Sequence, residues 1–160
     1  MPETKRRDQM KRGIINIWHI LFTLYCALML WLLFDRTGYD AGLPYAEQLK
    51  YNLLPFETIG RFLRLLGSSQ GGLRTHAFIN LVGNVVMFIP LGFFLPKLWQ
   101  KQRKLWRTLL TTVLIILLVE LTQMFTLVGT CDTDDLILNT LGAAIGYGIY
   151  KILIKTGLSK

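Results

Sequence analysis

The chain has 160 residues, 52% of them hydrophobic, with a positive mean hydropathy, which leaves room for one domain and exceeds what a soluble core of that size needs. A net charge of +8 would suit a nucleic-acid partner, but the basic residues sit in blocks between long apolar runs, so membrane topology explains them and nucleic acid is excluded as a partner.

A helix crosses a bilayer core with about 17 to 25 apolar residues. Residues 13–34 carry no Asp, Glu, Lys or Arg and form the first predicted span. The basic flank before it resembles a signal peptide. The run is too long for one, however, and no small-x-small cleavage site follows, so the segment is expected to remain as an anchor. Cys26 lacks the small residues that lipoprotein processing requires ahead of it. It lies in mid-span, about 12 Å from the depth of Cys131, which argues against a disulfide.

Residues 35–76 form the longest connection, with Gly38, Gly42 and Pro44, then Asn52-Leu53-Leu54-Pro55-Phe56. Ile59, Phe62, Leu63 and Leu66 follow at the i, i+3, i+4, i+7 spacing of an amphipathic helix. Such a helix either lies in the membrane interface with Arg61 and Arg64 toward headgroups, or packs on the bundle. Ser68-Ser69-Gln70-Gly71-Gly72 is expected to break it and act as a hinge.

The second span covers 77–98, with Pro90 and Pro96 set to kink or end it. The third covers 107–128, interrupted by Glu120, and the fourth covers 135–154 if Lys151 snorkels. In the fourth, Gly142, Ala143, Gly146 and Gly148 offer a small-residue face for close helix packing. Trp18, Trp31, Trp99 and Trp106 read as interfacial anchors. Thirteen of the 18 Lys and Arg residues precede the first span, separate the second from the third, or follow the fourth. The positive-inside rule then places those segments and both termini in the cytoplasm, which requires an even number of spans. The expected fold is an all-α, polytopic bundle of four transmembrane helices in the cell membrane, with an amphipathic helix in the first external loop.

Polar side chains inside spans are costly and face the bundle interior, so their positions carry the functional information. Asn80 and Asn84 share one face of the second helix; Glu120 and Gln123 lie three apart on the third; Asp132, Asp135 and Asn139 advance by three or four into the fourth. Asn84, Glu120 and Asn139 lie roughly 10, 12 and 8 Å from the external ends at the helical rise, so three helices bring polar groups to one level. A shared pocket opening outward follows. The pocket has three readings: amide packing glue; a binding site in which Glu120, Asp132 and Asp135 hold a divalent cation such as Mg²⁺ or Ca²⁺ that in turn holds a lipid phosphate; or catalysis with Glu120 as a base. His19 and His76 lie toward opposite ends of their spans and cannot share a metal.

Asn52-Leu-Leu-Pro-Phe56, Asn84-Val-Val-Met-Phe-Ile-Pro-Leu-Gly92, Glu120-Leu-Thr-Gln123 and Asp132-Thr-Asp-Asp135 with Asn139-Thr-Leu-Gly142 occur in the order and spacing of VanZ-like proteins, so the chain resembles that family over 52–146. Many members carry an arginine a few residues before the first of these aspartates, where this chain has Gly129. The resemblance implies a role in susceptibility to glycopeptide antibiotics such as teicoplanin, and the outward-opening pocket is expected to place that action at the outer leaflet. Its partners would be the bilayer and a lipid or lipid-linked cell-wall precursor. The alternative is an intramembrane enzyme acting on a lipid-linked or polyprenyl-phosphate substrate.

Overall fold

A computed structural model describes residues 3–34 and 44–157. Gly38 and Gly42 of the first loop, and the basic residues Arg36 and Lys160, lie outside the described residues. The elements are α1 (Glu3–Phe34), a single turn α2 (Tyr45–Gln48), β1 (Tyr51–Asn52), α3 (Glu57–Leu66), α4 (Gly71–Leu98), a 3-10 turn (Gln100–Gln102), α5 (Leu105–Phe125), β2 (Cys131–Asp132) and α6 (Thr133–Lys155). The long helices contribute four stretches long and apolar enough to span a membrane, at Ile17–Phe34, Gly71–Leu98, Leu105–Phe125 and Thr133–Lys155. The protein is thus a polytopic all-α membrane protein. Its outer faces carry Leu24, Leu28, Leu114, Leu118, Ile145 and Ile152 exposed, as expected where lipid takes the place of water.

The bundle is organised on a backbone contact between α4 and α6. A Cβ on Gly142 would lie 2.1 Å from the carbonyl oxygen of Val85, one on Gly146 would lie 1.9 Å from that of Ile89, and one on Gly92 would lie 1.9 Å from that of Ala143. These contacts leave no room for side chains, so the two helices run side by side with their main chains touching. Lipid tails are as apolar as leucine, so such close van der Waals approach is the main source of helix affinity in a membrane. Gly148 is not part of the seam, because a Cβ there would meet nothing within 4 Å. Gly92 is its unanticipated member on α4.

Helix α1 packs mainly on α4 through aromatic rings. Phe22 meets Trp99 at 5.3 Å and Phe94 at 5.7 Å between centroids, while Trp18 meets Phe93 at 5.9 Å and carries Lys97 over its ring at 4.9 Å. Trp18 and Trp99 are therefore part of a helix-packing cluster, although Trp99, like Trp31 and Trp106, is also exposed as an anchor at an interface would be. Met29, Phe88, Leu91, Leu95 and Ile116 form the apolar core between α1, α4 and α5.

Helix α4 begins at Gly71 and runs continuously through Pro90 and Pro96 to Leu98. The break expected over 68–72 falls at 67–70, and its last two residues, Gly71 and Gly72, form the first turn of α4 instead. The early start carries α4 about 9 Å beyond residue 77 at the helical rise, giving α3 a surface to dock on. Phe62 of α3 is buried there with its ring 5.7 Å from that of His76. The amphipathic helix is thus packed on the bundle by its apolar face, with Leu63 exposed.

At the opposite end the α4–α5 connection is pinned by side chains: Thr108 Oγ1 donates to Gln102 O at 2.7 Å and Tyr147 Oη donates to Arg103 O at 2.8 Å. Helix α5 ends in a Schellman turn. Val128 N donates to Gln123 O at 3.0 Å and Leu127 N to Met124 O at 3.2 Å, with buried Leu127 in the left-handed region where glycine is usual. That turn feeds β2, which pairs in parallel with β1 through Tyr51 opposite Cys131 and Asn52 opposite Asp132.

Candidate functional site

The β1–β2 pair brings the first long connection onto the start of α6, where three aspartates follow within four residues. Asp132 is the N-cap of α6: its Oδ1 accepts from Asp134 N at 2.8 Å, satisfying one of the amides that a helix start leaves unpaired. Its Oδ2 accepts from Thr58 Oγ1 at 2.6 Å, and Thr58 Oγ1 in turn accepts from Asn52 Nδ2 at 3.0 Å. Asp134 is fully buried and accepts from the backbone amides of Phe56, at 2.5 Å, and Ile59, at 2.9 Å. It therefore caps α3 from another helix. Phe56 itself, the residue ahead of α3, has a left-handed φ of 66°, a conformation costly for a bulky side chain that persists only where the surroundings hold it. The Asp134 carboxylate supplies that hold.

Beside this clamp, a cavity of about 260 Å³ opens between α1, α3, α4, α5 and α6. All seven polar residues singled out from the sequence line it: Asn80, Asn84, Glu120, Gln123, Asp132, Asp135 and Asn139. Asn84 donates its amide N–H to Asp135 across the α4–α6 seam. Glu120, 5% exposed, accepts from Asp132 N at 3.1 Å. Gln123 Nε2 donates to Leu33 O of α1 at 2.7 Å, and Asn80 Nδ2 donates to His76 O one turn back at 2.8 Å. Asn139, 4% exposed, has an Oδ1 with no hydrogen-bond partner.

Among the described residues, no three His, Cys, Asp or Glu side chains are placed to hold a metal ion together. Asp132 gives both carboxylate oxygens to the clamp, Glu120 accepts a backbone amide, and Asp135 accepts from Asn84. Each of the three carboxylates considered for Mg²⁺ or Ca²⁺ thus already accepts at least one hydrogen bond from the protein itself.

Three participants were not read from the sequence. Asp134 has the appearance of an ordinary acidic residue in a first helical turn, favourable to the dipole wherever it points. Thr58 carries no sequence signal. Arg61 of α3 and Gly129 both line the cavity. Cys131, on β2 beside the cavity, has its thiol pKa raised by burial first and then by the nearby carboxylates of Glu120 and Asp132.

The VanZ/LLP1 family model matches residues 22–154 of the chain. Protein VanZ of Enterococcus faecium is 27% identical over 133 residues, an alignment that covers 82% of this chain and 72% of that protein. No solved structure matches the chain.

Removing the Asp134 carboxylate leaves the Phe56 and Ile59 amides unpaired, and hydrogen bonds to a charged group contribute about 1.5–3 kcal/mol each. Asp134→Ala is expected to free α3 while the four long helices stay assembled. Limited proteolysis in detergent should then cut within 50–70 at least about a hundredfold faster than in the unaltered protein. Unchanged cleavage would show that the carboxylate does not hold this segment.

Proposed function

The chain belongs to the VanZ/LLP1 family, and on that premise we propose that it lowers susceptibility to glycopeptide antibiotics, teicoplanin above all, by engaging a component of the outer leaflet in the cavity at the α3 end of the bundle. The observation that carries this reading is the convergence of amides and carboxylates from three helices on one cavity, since polar groups at membrane depth are expensive and mark a site of use. The reading includes an orientation. The connection between α4 and α5 holds Lys101, Arg103, Lys104 and Arg107, and the end of α6 holds Lys151 and Lys155. The positive-inside rule assigns that end to the cytoplasm and the cavity to the outer side of the cell membrane, with both termini inside.

Lipid anchoring explains why teicoplanin is the expected drug. Its acyl chain adds about 0.8 kcal/mol of membrane affinity per buried methylene. A protein that changes the outer leaflet alters that contribution and leaves vancomycin, which lacks the chain, largely untouched.

The orientation is tested with Cys131 in a Cys26→Ala background. A membrane-impermeant thiol reagent should label Cys131 in intact cells. The rate should go on rising with pH above the ordinary thiol value of about 8.5, because the raised pKa keeps the reactive thiolate scarce until the solution is more alkaline. Labelling only after the cells are opened would reverse the assigned topology.

The activity is tested by expression in a susceptible Gram-positive host. The inhibitory concentration of teicoplanin should rise more than that of vancomycin, with a change of about 1.4 kcal/mol in the acylated drug's hold appearing as about a tenfold shift. Glu120→Ala and Asp135→Ala should abolish the difference. Equal shifts for both drugs, or none with well-expressed protein, would contradict the proposal.

A further inference from the structure

The end of the bundle away from the cavity has a different chemistry. No Asp or Glu occurs between Glu57 and Glu120 or after Asp135, so the α4–α5 connection and the end of α6 supply cations and no acid. Lys101, Arg103, Lys104, Lys151 and Lys155 are exposed, and among the described residues none of them has a carboxylate partner.

A topological signal needs only charge, which a loose loop would supply. This connection is built instead. Trp99 O accepts from Gln102 N at 2.9 Å, Gln100 O from Arg103 N at 3.2 Å and Lys104 O from Thr108 N at 3.2 Å. Between them, side chains take over: Lys101 O accepts from Arg107 Nη1 at 3.2 Å, Gln102 O from Thr108 Oγ1 at 2.7 Å and Arg103 O from Tyr147 Oη at 2.8 Å. Each carbonyl from Trp99 to Lys104 is thus occupied within the protein, and Gln102 Nε2 is held by Thr111 Oγ1 at 2.9 Å. With its backbone acceptors satisfied, the connection shows its surroundings Lys101, Arg103 and Lys104. Lys151 joins them, its Nζ 5.6 Å from the centre of the Tyr147 ring whose hydroxyl holds Arg103 O. A backbone fixed beforehand has less freedom to lose when a ligand binds.

Such a surface suits an anion, and its apolar flank indicates which kind. Trp99, Leu105 and Trp106 are exposed on either side of the cations, and Arg107 lies over the Trp106 ring at 5.1 Å. Exposed tryptophans at the ends of spans mark the headgroup level, so the cations between them lie at the depth of lipid phosphates. Basic surfaces between spanning helices are where anionic headgroups dock. We propose that the α4–α5 connection, with Lys151 beside it, binds the phosphodiester headgroup of an anionic phospholipid through Lys101, Arg103 and Lys104, with Trp99 and Trp106 against the start of its acyl chains. This surface is separate from the cavity, and the inference stands whatever the cavity does.

The test is native mass spectrometry of the purified full chain in detergent, titrated with phosphatidylglycerol and phosphatidylcholine of equal chain length. Both carry a phosphodiester, but the choline cation cancels its charge and is repelled by the lysines. Phosphatidylglycerol is expected to bind at least about tenfold more tightly. Lys101→Gln with Lys104→Gln should weaken it about tenfold. Lys50→Gln with Arg74→Gln removes the same charge from exposed positions at the cavity end and should leave it unaltered. Tyr147→Phe keeps every charge but releases the Arg103 carbonyl, and should weaken phosphatidylglycerol about threefold.

Soluble glycerophosphoglycerol should compete poorly; competition equal to the lipid's would make the ligand a free phosphodiester and overturn the lipid assignment. Equal binding of the two lipids, or equal losses in the two double variants, would overturn the proposal, because net charge alone would then account for the binding. Unchanged phosphatidylglycerol binding in folded Tyr147→Phe would overturn the part assigned to the pinned backbone.

Discussion

Close approach of two backbones, α4 and α6, is the constraint on which the remaining structure depends. Gly142 lies against the carbonyl of Val85 and Gly146 against that of Ile89, so the residues next to those contacts are fixed relative to each other within a fraction of a side chain's length. Asn84 adjoins Val85, and Asn139 lies one turn before Gly142 on the same face of α6. The amide of Asn84 consequently reaches Asp135 directly. A methyl group at position 142 would force the helices apart at the level where the polar residues meet. In a bilayer no hydrophobic effect would draw them back.

The second layer of the structure uses charge to hold short segments that have little apolar surface of their own. Helix α3 has ten residues, below the length at which a helix is stable alone in water. It is held by Phe62 on α4 and by the Asp134 carboxylate at its start. Asp132 performs the corresponding task for α6 and ties Thr58 to the same point. Two neighbouring carboxylates thus cap two helices, which places α3 and its Arg61 over the cavity. The acidic residues at this end divide into those that build the site's wall and those, Glu120 and Asp135, that face its interior.

The spans were legible because uncharged runs of bilayer length have few other uses. The polar residues of the cavity were legible because each is conspicuous in such a run, and helical spacing put Asn80 with Asn84, and Asp135 with Asn139, on common faces. Other features depended on long-range partners and left no local trace. Asp134 and Thr58 are ordinary residues until the β1–β2 pair brings their segments together, and two-residue strands have no periodicity to read. Gly71 and Gly72 look like a hinge because glycine weakens a helix, yet they form the first turn of α4. Gly148 matches the small-residue spacing of Gly142 and Gly146 but faces open space. Composition identifies a small-residue stripe without saying which member touches a neighbour.

The glycine seam sets the geometry of the cavity, and a crosslinking measurement tests that link directly. In a background with Cys26 and Cys131 replaced, Asn84→Cys with Asp135→Cys puts two thiols where the structure has a hydrogen-bonded pair. A short bifunctional thiol reagent should join them in native membranes, and should still do so when Gly148→Leu is added at the open position. Adding Gly142→Leu should abolish the crosslink while both thiols remain reactive. Failure to crosslink with the seam intact, or crosslinking that persists with Gly142→Leu, would contradict the dependence of the site on the α4–α6 contact.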